Sequence, residues 1–441
     1  MPTKLPYLFA ESVKNRVVKY HNHQEFFEKL KELSATRRSL FELPFTVKAN
    51  GKQYKLKMYE WYKYLVWAWM VHAPIGLFNK YPLHIMVMGP KQSGKSTLLN
   101  VLHSRSREVK PVFSGSSSTM KNLIPSFKYN PAKLGYFAES NRFAYCDEFL
   151  RCIVNLRSGE NKEESVALMN DLLEHQQREA GSGVSKVNVN MTSRIYATTN
   201  PIRDVHTMED MLTYMDESFL SRWLIYFQSQ EEVKLVRNSR DNDLKVFDYT
   251  MDDKDFISFI DYLQNFQAEY DFDIVNEIYE EPKPLMSEKV LDHYDARHKH
   301  HIECLIDGIV KIRCMFDRDP TFTAKQEDYD LLETVWNKVI SSWIETRNLR
   351  NIAVNKRIKY MPERCQYIYR KMAKAQKPLL RYEIDELIAS EIPRKDAIQP
   401  MITLINNDLV LEVDGKYKLY YMGPNWKPKE VQEDESNTTR L

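Results

Sequence analysis

Cysteine and glycine are scarce in this sequence of 441 residues, which contains five cysteines and 12 glycines. No two cysteines form a Cys-x-x-Cys pair, and their odd number argues against a closed disulfide framework, so we expect a reducing compartment. The low glycine content excludes a collagen-like chain, and the 43% of hydrophobic residues excludes a wholly disordered one. At the usual ~100 to 200 residues per domain, the chain is long enough for about two to four globular domains.

Long apolar runs and a strong net charge are also missing. The most apolar stretch, Tyr62–Phe78, is interrupted by Lys63 and Pro74, and it is shorter than the roughly 20 residues that a membrane-spanning helix needs. The N-terminal residues lack the apolar segment of a secretory signal, so we expect a cytoplasmic protein with no membrane partner. Because 63 Lys and Arg nearly balance 61 Asp and Glu, any nucleic-acid-binding surface has to be local.

The clearest functional motif is a glycine-containing loop between a short apolar run, His84–Met88, and an apolar helix. The loop and the first residues of the helix are Gly89, Pro90, Lys91, Gln92, Ser93, Gly94, Lys95, Ser96 and Thr97. This is the pattern of a phosphate-binding P-loop, whose backbone N–H groups surround the phosphates of a nucleotide. We expect Lys95 to contact the β- and γ-phosphates of ATP and Ser96 to ligate Mg²⁺.

Two later apolar runs, each typical of a buried strand, end in polar residues that suit the same site. Phe143–Cys146 precedes Asp147 and Glu148, and Arg194–Thr199 precedes Asn200. We expect Asp147 to hold the metal and Glu148 to polarise the attacking water, since carboxylates have these roles beside a P-loop. Asn200 would hold the same water or the γ-phosphate without adding charge. An Asp-Glu pair is common on protein surfaces, and its position after a buried strand is what favours the catalytic interpretation.

Two basic residues are candidates for contacts outside this pocket. Arg222 stands where a predicted strand begins, and an Arg in that position can stabilise transition-state charge in a neighbouring subunit's nucleotide site. Taken alone, such an Arg is more often a salt-bridge partner. The segment Arg178–Val189 has a glycine-rich centre and carries Lys186, which predicts a hairpin whose plainer interpretation is a surface turn.

The C-terminal part predicts three short helices followed by a hairpin. The predicted helices are Glu363–Ala375, Tyr382–Ser390 and Lys395–Asn407, and the predicted strands are Leu409–Val413 and Lys416–Tyr420 on either side of Asp414-Gly415. This order is typical of a winged helix-turn-helix domain, whose third helix enters a DNA major groove. We expect Lys416 and Lys418 to lie near the DNA phosphates, although such domains also bind proteins. The stretch Arg350–Tyr382 has ten basic residues and one acidic residue, which favours a phosphate-binding surface.

Two other clusters have structural interpretations. The aromatic residues between Tyr59 and Trp69 are of a kind that stacks on bases, but their segment is apolar on nearly every side and therefore indicates a buried helix. His300 and Cys304 lie four residues apart in a His-rich segment, a spacing that suits a metal. Because no second pair of ligands is visible, we expect this segment to be a surface helix.

Together these motifs resemble the AAA+ ATPase module of the minichromosome maintenance (MCM) family of replicative helicases. The resemblance covers about residues 59–227 and includes the P-loop, Cys146–Phe149, Glu174–Gln177 with Lys186 and Arg194, and Ser221–Trp223. It implies an α/β fold, namely a P-loop AAA+ ATPase core with a helical lid, plus the C-terminal winged helix-turn-helix domain. It also implies that Arg222 is an arginine finger and that Lys186, on a hairpin in the central channel of a ring, grips DNA. The family's zinc-bearing N-terminal piece has no counterpart here, and His300 stands where the family has its sensor 2 Arg.

The predicted organisation has five segments. These are a basic N-terminal segment of unknown role (1–57), the AAA+ core (58–235), the lid (236–349), the winged helix (350–425) and a disordered tail (426–441).

We expect Mg²⁺-dependent ATP hydrolysis in a homo-oligomeric ring, most simply a hexamer, that unwinds DNA as a replicative helicase of a plasmid, virus or integrated element. Single-stranded DNA would pass through the ring, and duplex DNA would contact the winged helix. The alternatives are an AAA+ replication initiator or helicase loader that binds origin DNA, and a structural ATPase that acts on protein partners.

Overall fold

The fold is taken from a computed structural model, which divides the chain into two compact units. It describes residues 20, 22–32, 37–49, 52–56, 58–73, 83–89, 93–106, 111–115, 123, 135–139, 142–151, 169–170, 173, 178–182, 185–189, 193–200, 217–228, 253–284, 296–358, 361–375, 377–406, 409–413 and 415–419. The first unit comprises Met1–Pro282 with Asp295–Thr346, and the second comprises Lys283–Tyr294 with Arg347–Leu441. The predicted tail at 426–441 lies outside the described residues.

The described part of the first unit alternates helices and strands. In chain order these are α1 (His23–Glu32), α2 (Arg37–Glu42), a 3₁₀ turn (Leu43–Phe45), β1 (Thr46–Ala49), β2 (Lys52–Lys55), α3 (Glu60–Val71), β3 (Ile85–Met88), α4 (Lys95–Ser106), β4 (Phe113–Ser114), α5 (Tyr136–Glu139), β5 (Phe143–Asp147), β6 (Arg178–Ser182), β7 (Ser185–Val189), β8 (Arg194–Thr199), α6 (Glu217–Leu220), β9 (Leu224–Phe227), α7 (Asp253–Leu263), α8 (Phe272–Glu280) and α9 (Ala296–Asp317). The next helix, α10 (Gln326–Ile358), has residues in both units.

A five-stranded parallel sheet forms the centre of the first unit, with the strand order β4-β5-β8-β3-β9. Every residue of β3 and β8 is buried, which is typical of parallel strands that are covered on both faces. Parallel pairing also brings the carboxyl ends of the five strands to one edge. The predicted α/β class is therefore confirmed, and the strands predicted around residues 84–88, 143–146 and 194–199 are all present.

One face of the sheet packs against α3 and α4. The Tyr145 hydroxyl on β5 donates to the Leu102 carbonyl of α4 at 3.2 Å. On the next strand the Tyr196 hydroxyl is hydrogen-bonded to the Tyr62 hydroxyl of α3, and the Tyr62 ring also contacts Tyr226 of β9 with 4.2 Å between the ring centroids. Since strand residues alternate between the two faces, these tyrosines mark the face on which α4 and the loop before it lie.

The aromatic helix α3 is a core element, as the apolar pattern predicted. Trp67 and Trp69 are buried, and the carboxyl end of the helix is fixed by a side chain from the sheet. The Arg194 guanidinium at the start of β8 donates to the carbonyls of Trp69 at 2.7 Å and Met70 at 2.9 Å, and also to that of His72. A buried cation at this point satisfies carbonyls that the helix itself leaves without partners.

The part of the N-terminal segment that the structure describes packs onto the same core. The Lys63 ammonium of α3 is 2.7 Å from the Glu42 carboxylate, which Lys55 also contacts. Farther towards the N-terminus, the Phe26 ring stacks on the Tyr262 ring of α7 with 4.7 Å between the centroids. Residues 22–56 therefore add ionic and aromatic contacts to the first unit.

Helix α9 is buried, so the expectation of a surface helix around His300 is wrong. His298, His300, His301 and Cys304 are all buried, and the next turn holds the ion pair between Asp307 and Lys311. The polar string at residues 298–301 suggested an exposed face, but α9 crosses α3 closely, and Asp307 and Lys311 of its next turn are paired with each other inside the core. His300 Nε2 is 3.5 Å from Cys304 Sγ, and within the described ranges no group of three or more His, Cys, Asp or Glu residues has the arrangement of a metal site.

The crossing of α9 and α3 requires glycine at position 308. A Cβ added to Gly308 would lie 2.5 Å from the Cα of Ala68 and 2.9 Å from its carbonyl oxygen. Both are backbone atoms of a buried helix and cannot move aside cheaply. The absence of a side chain at Gly308 therefore sets the distance between the two helices.

Gly308→Ala is expected to lower the free energy of unfolding by about 1 to 3 kcal/mol, because the new methyl group overlaps the backbone of α3. In a helix with no close neighbour, Gly→Ala raises stability by about 1 kcal/mol. A loss of stability in Gly308→Ala would therefore indicate that the overlap with α3 outweighs the gain in helix propensity. Urea denaturation followed by tryptophan fluorescence measures it. Lys338→Ala, at an exposed position of α10, is the control, with an expected change below about 0.5 kcal/mol. A raised midpoint for Gly308→Ala would contradict the close crossing.

The second unit contains three helices and a small antiparallel sheet. Its described elements are the end of α10, α11 (Glu363–Ala375), β10 (Leu379–Leu380), α12 (Arg381–Ile388), α13 (Arg394–Asn406), β11 (Val410–Val413) and β12 (Lys416–Leu419). The strand order is β10-β12-β11, and Gly415 turns the chain between β11 and β12 with a φ of +71°. A single core cluster joins the three helices to the hairpin through residues such as Ile368, Ile384, Met401 and Val410.

Among the described residues, none of the helices combines the length and the apolar composition that crossing a bilayer requires.

Candidate functional site

The residues predicted to bind a nucleotide begin at the carboxyl end of β3, the second strand from one side of the sheet. Gly89 follows β3 directly, Gly94 has a φ of +84°, and α4 begins at Lys95. A side chain at Gly94 would be strained, and a Cβ at Gly89 would lie 2.8 Å from the Cβ of Gln228. Glycine is thus needed at both positions. Pro90, Lys91 and Gln92 lie outside the described residues, and Thr97 is exposed on the first turn of α4.

Lys95 is buried and bonded to its own loop. Its ammonium donates to the Gly89 carbonyl at 3.0 Å and to the Ser93 hydroxyl at 2.7 Å. Burial lowers the pKa of Lys95 to about 8, and the nearby Asp147 carboxylate opposes that shift. A buried ammonium beside a helix N-terminus is an arrangement that favours binding of an anion.

Asp147 is the point where three elements meet. Its Oδ1 accepts hydrogen bonds from the Ser96 hydroxyl of α4 at 3.1 Å, from the Glu148 backbone N–H at 3.0 Å, and from the Thr198 hydroxyl of β8. The sequence motifs did not identify Thr198. The pairing of the two strands explains the contact. Cys146 pairs with Ala197, so the next residues along the two strands, Asp147 and Thr198, are neighbours.

The oxygen atoms of Ser96 and Asp147 fit a magnesium ion. Mg²⁺ prefers hard oxygen ligands and is usually bound by one or two protein oxygens together with water and phosphate. The Ser96 hydroxyl at the start of α4 and the Asp147 carboxylate at the end of β5 are within hydrogen-bond distance of each other and provide that donor set. These two residues would hold the metal.

Glu148 has the unusual backbone conformation that functional residues often adopt. Its φ is +52°, in the left-handed region where a non-glycine residue costs about 1 to 2 kcal/mol. Its partly exposed carboxylate is 3.5 Å from the Arg151 guanidinium. Asn200, also partly exposed, follows β8 at the same edge of the sheet. Both residues therefore follow strands that end at the same edge of the sheet as β3.

Arg222 is directed into its own chain. The residue is 9% exposed, and its Nε donates to the Asn170 carbonyl at 3.2 Å. The neighbouring Ser221 hydroxyl accepts a hydrogen bond from Arg297 of α9 at 3.1 Å. The role of Arg222 in an adjacent subunit stays a prediction.

The three lysines predicted to contact DNA lie on two hairpins. Lys186 is in β7 and pairs with Gly181 of β6, as the predicted hairpin requires. Lys416 is exposed at the start of β12, and Lys418 follows in the same strand. Each hairpin is antiparallel, and the first hairpin ends four residues before β8 begins.

The edge of the sheet thus brings together an ammonium, a hydroxyl and a carboxylate around a glycine-containing loop, with a second carboxylate and an amide beside them. This set can bind a phosphate chain with its divalent cation and can orient a water molecule against it. In comparisons with known proteins, the chain matches no family model, and a search of curated proteins finds no significant match.

Proposed function

We propose that this protein is a Mg²⁺-dependent ATPase of the AAA+ class that works as an MCM-like DNA helicase in a homo-oligomeric ring. The observation that carries the proposal is the convergence of Lys95, Ser96 and Asp147 at the carboxyl edge of a parallel sheet. In open α/β sheets, ligands bind at this edge, beside the strand where the order of connection reverses. Here β3 has β8 on one side and β9 on the other, and the loop after β3 is the P-loop of the proposal.

Nucleotide binding replaces the internal hydrogen bonds of Lys95. The ammonium, which donates to the Gly89 carbonyl and the Ser93 hydroxyl, moves to contact the β- and γ-phosphates. The N-terminus of α4 contributes free backbone N–H groups to the same phosphates. Ser96 and Asp147 would hold Mg²⁺, whose charge would offset that of the phosphate oxygens.

Hydrolysis requires a water molecule in line with the γ-phosphate. Glu148 accepts the proton of this water and Asn200 orients it, since both residues follow strands that end at the loop. In the ring, Arg222 would leave the Asn170 carbonyl of its own chain and stabilise the charge that develops in the transition state of the adjacent subunit's site. This last contact makes the ring necessary for activity.

The coupling to DNA is carried by the hairpin of β6 and β7. Lys186 on β7 contacts a DNA phosphate, and the chain continues from Val189 to β8 through four residues. The far end of β8 carries Thr198, which is bonded to Asp147. A displacement of Asp147 caused by a change at the γ-phosphate can thus reach the DNA-binding hairpin through the Thr198 hydrogen bond and the chain of β8.

A replication initiator or helicase loader is the second candidate, and the exposed face of α13 favours it. Ile398 is 53% exposed and Ile402 is 42% exposed, with Lys395 and Gln399 on the same face. Exposed apolar side chains contact thymine methyl groups in a major groove, and Gln pairs with adenine. Sequence-specific duplex binding by this winged helix would serve an initiator more directly than a helicase.

A strand-displacement assay on a forked duplex separates the candidates. For a helicase, single-stranded DNA stimulates ATP hydrolysis, and the protein displaces one strand of the fork in the presence of MgATP. Lys186→Ala is expected to abolish displacement and to leave ATP affinity unchanged, because the substitution removes only a phosphate contact of the DNA. Lys338→Ala on exposed α10 is the control. Site-specific duplex binding without displacement would instead identify an initiator, and full activity of Lys186→Ala would exclude the role of the hairpin.

A further inference from the structure

Gln228 is held against the start of the nucleotide-binding loop, although no motif drew attention to it. Its backbone N–H donates to the Met88 carbonyl at 2.8 Å, which extends the pairing of β9 with β3 by one residue. Its side chain is only 8% exposed. If Gly89 carried a Cβ, that atom would lie 2.8 Å from the Gln228 Cβ and 3.1 Å from its Oε1. The amide group therefore lies directly beside Gly89.

The side-chain oxygen of Gln228 lacks a hydrogen-bond partner among the described residues. Buried polar groups in folded proteins are nearly always hydrogen-bonded, because desolvation of an unpaired group destabilises the fold. A bound ligand that donates a hydrogen bond to Gln228 Oε1 would explain why this buried acceptor, which lies at the start of the loop, has no partner among the described residues.

The face of the sheet on which Gln228 lies is the face of the site. Tyr226, two residues earlier, contacts Tyr62 of α3, and so does Tyr196, two residues before Thr198. Strand alternation therefore places Gln228 and Thr198 on the same face, with β3 between their strands. Gln228 and the catalytic carboxylates flank the loop on opposite sides.

The positions of the strands indicate which part of a bound nucleotide would contact Gln228. The groups that act on the terminal phosphate, Asp147, Glu148 and Asn200, belong to β5 and β8 or follow them. A nucleotide whose γ-phosphate is on that side extends its nucleoside across the loop towards β9. Fully ionised phosphates have only acceptor oxygens, whereas ribose hydroxyls and the adenine amino group are donors.

We infer that Gln228 Oε1 accepts a hydrogen bond from an O–H or N–H donor of the nucleoside, so that Gln228 selects a nucleotide over a bare polyphosphate. The inference rests on the proposed nucleotide site. It assigns to β9 a binding role that is separate from phosphate binding and from hydrolysis.

The test compares MgATP with magnesium tripolyphosphate, using isothermal titration calorimetry on the full chain. Gln228→Met preserves the size of the side chain and removes the acceptor, so affinity for MgATP is expected to fall about 3- to 10-fold, which corresponds to the loss of one hydrogen bond. Affinity for tripolyphosphate is expected to stay unchanged. Thr199→Val is the matched control, since Thr199 Oγ1 is also buried without a partner among the described residues but lies on the opposite face of the sheet.

The donor is identified with wild-type protein and nucleotide analogues. Weaker binding of 2′-deoxyATP or 3′-deoxyATP than of ATP indicates a ribose hydroxyl, and weaker binding of ITP indicates the amino group. In either case Gln228→Met is expected to remove the difference. The wild-type measurements test the inference even if Gln228→Met does not fold. Equal affinity of the wild type for ATP and for all three analogues would overturn it.

Two other outcomes are informative. Equal losses of affinity for ATP and tripolyphosphate in Gln228→Met would mean that Gln228 only shapes the loop at Gly89, and unchanged affinity for both would exclude any contact. Failure of the wild type to bind either ligand would refute the proposed nucleotide site itself.

Discussion

Lys95→Ala is expected to lower the affinity for MgATP by about 100-fold or more and to abolish hydrolysis. Hydrogen bonds to charged groups contribute about 1.5 to 3 kcal/mol each, and in the proposed complex the ammonium makes such bonds to two phosphates. No other cation of the described loop and helix start is in position to replace it, since Ser93, Gly94, Ser96 and Thr97 are all uncharged. Isothermal titration calorimetry and a phosphate-release assay measure the two effects.

Folding of the variant has to be checked, because Lys95 also bonds the Gly89 carbonyl and the Ser93 hydroxyl. Circular dichroism of Lys95→Ala should match the wild type, and Lys338→Ala provides a control for loss of a lysine elsewhere. If folded Lys95→Ala bound MgATP as tightly as the wild type, the proposed function would be refuted.

The pH dependence of binding offers an independent check on Lys95. Without ligand its pKa is about 8, so above that pH the amine is increasingly neutral and attracts phosphate less. A bound anion favours the ammonium form and raises the pKa again. Wild-type affinity is therefore expected to fall as the pH rises above about 8, by at most about tenfold per pH unit, with proton uptake on binding. Titrations at pH 9 in buffers with different ionisation enthalpies measure this uptake, which the alanine variant should lack.

Asp307→Ala is expected to cause the largest loss of stability, about 3 to 5 kcal/mol in the free energy of unfolding. Asp307 and Lys311 are both fully buried with 2.7 Å between their charged atoms. The carboxylate also accepts the backbone N–H of Ala73 at 2.6 Å and that of Ala268 at 2.7 Å. Its removal leaves a buried charge and two backbone donors without partners. Chemical denaturation followed by tryptophan fluorescence measures the loss.

A double variant distinguishes the charge from the hydrogen bonds. Burial lowers the pKa of Lys311 to about 8 and raises that of Asp307, so each charge depends on the other. Asp307→Asn combined with Lys311→Met removes both charges and keeps one side-chain acceptor for a backbone N–H. We expect it to be more stable than Asp307→Ala, because an unpaired buried ammonium costs more than a lost backbone hydrogen bond. If Asp307→Ala unfolded at the wild-type denaturant concentration, the pair would have no structural role.

Local sequence patterns predicted most of the described elements. Apolar runs of four to six residues gave β3, β5 and β8, and helical spacing with a following Asp-Gly turn gave α11 to α13 and the hairpin after them. The glycines at 89 and 94 marked backbone positions that admit no side chain. These elements could be predicted from the sequence because periodicity and turn geometry depend on only a few neighbouring residues.

The remaining contacts depend on which strands and helices become neighbours. Thr198 bonds Asp147 only because β8 lies beside β5, and Gln228 reaches Gly89 only because β9 lies beside β3. The same holds for α9, whose His and Asp side chains resemble a solvent-exposed pattern until α3 and the segment after α7 are packed around them. Propensity and spacing contain no information on which elements become neighbours, and the absence of a second pair of metal ligands did not reveal that this polar helix is internal.

The two ends of β8 are held very differently, and this has a mechanical consequence. At its amino end the Arg194 guanidinium is bonded to successive carbonyls of α3. At its carboxyl end, besides the backbone pairing with β3, the side-chain anchor is the single hydrogen bond from the Thr198 hydroxyl to Asp147. Breaking one hydrogen bond takes far less free energy than extracting a buried guanidinium. The side-chain contacts that resist displacement of β8 are therefore stronger at its amino end, just after the hairpin of β6 and β7, than at the edge of the sheet where Asp147 lies.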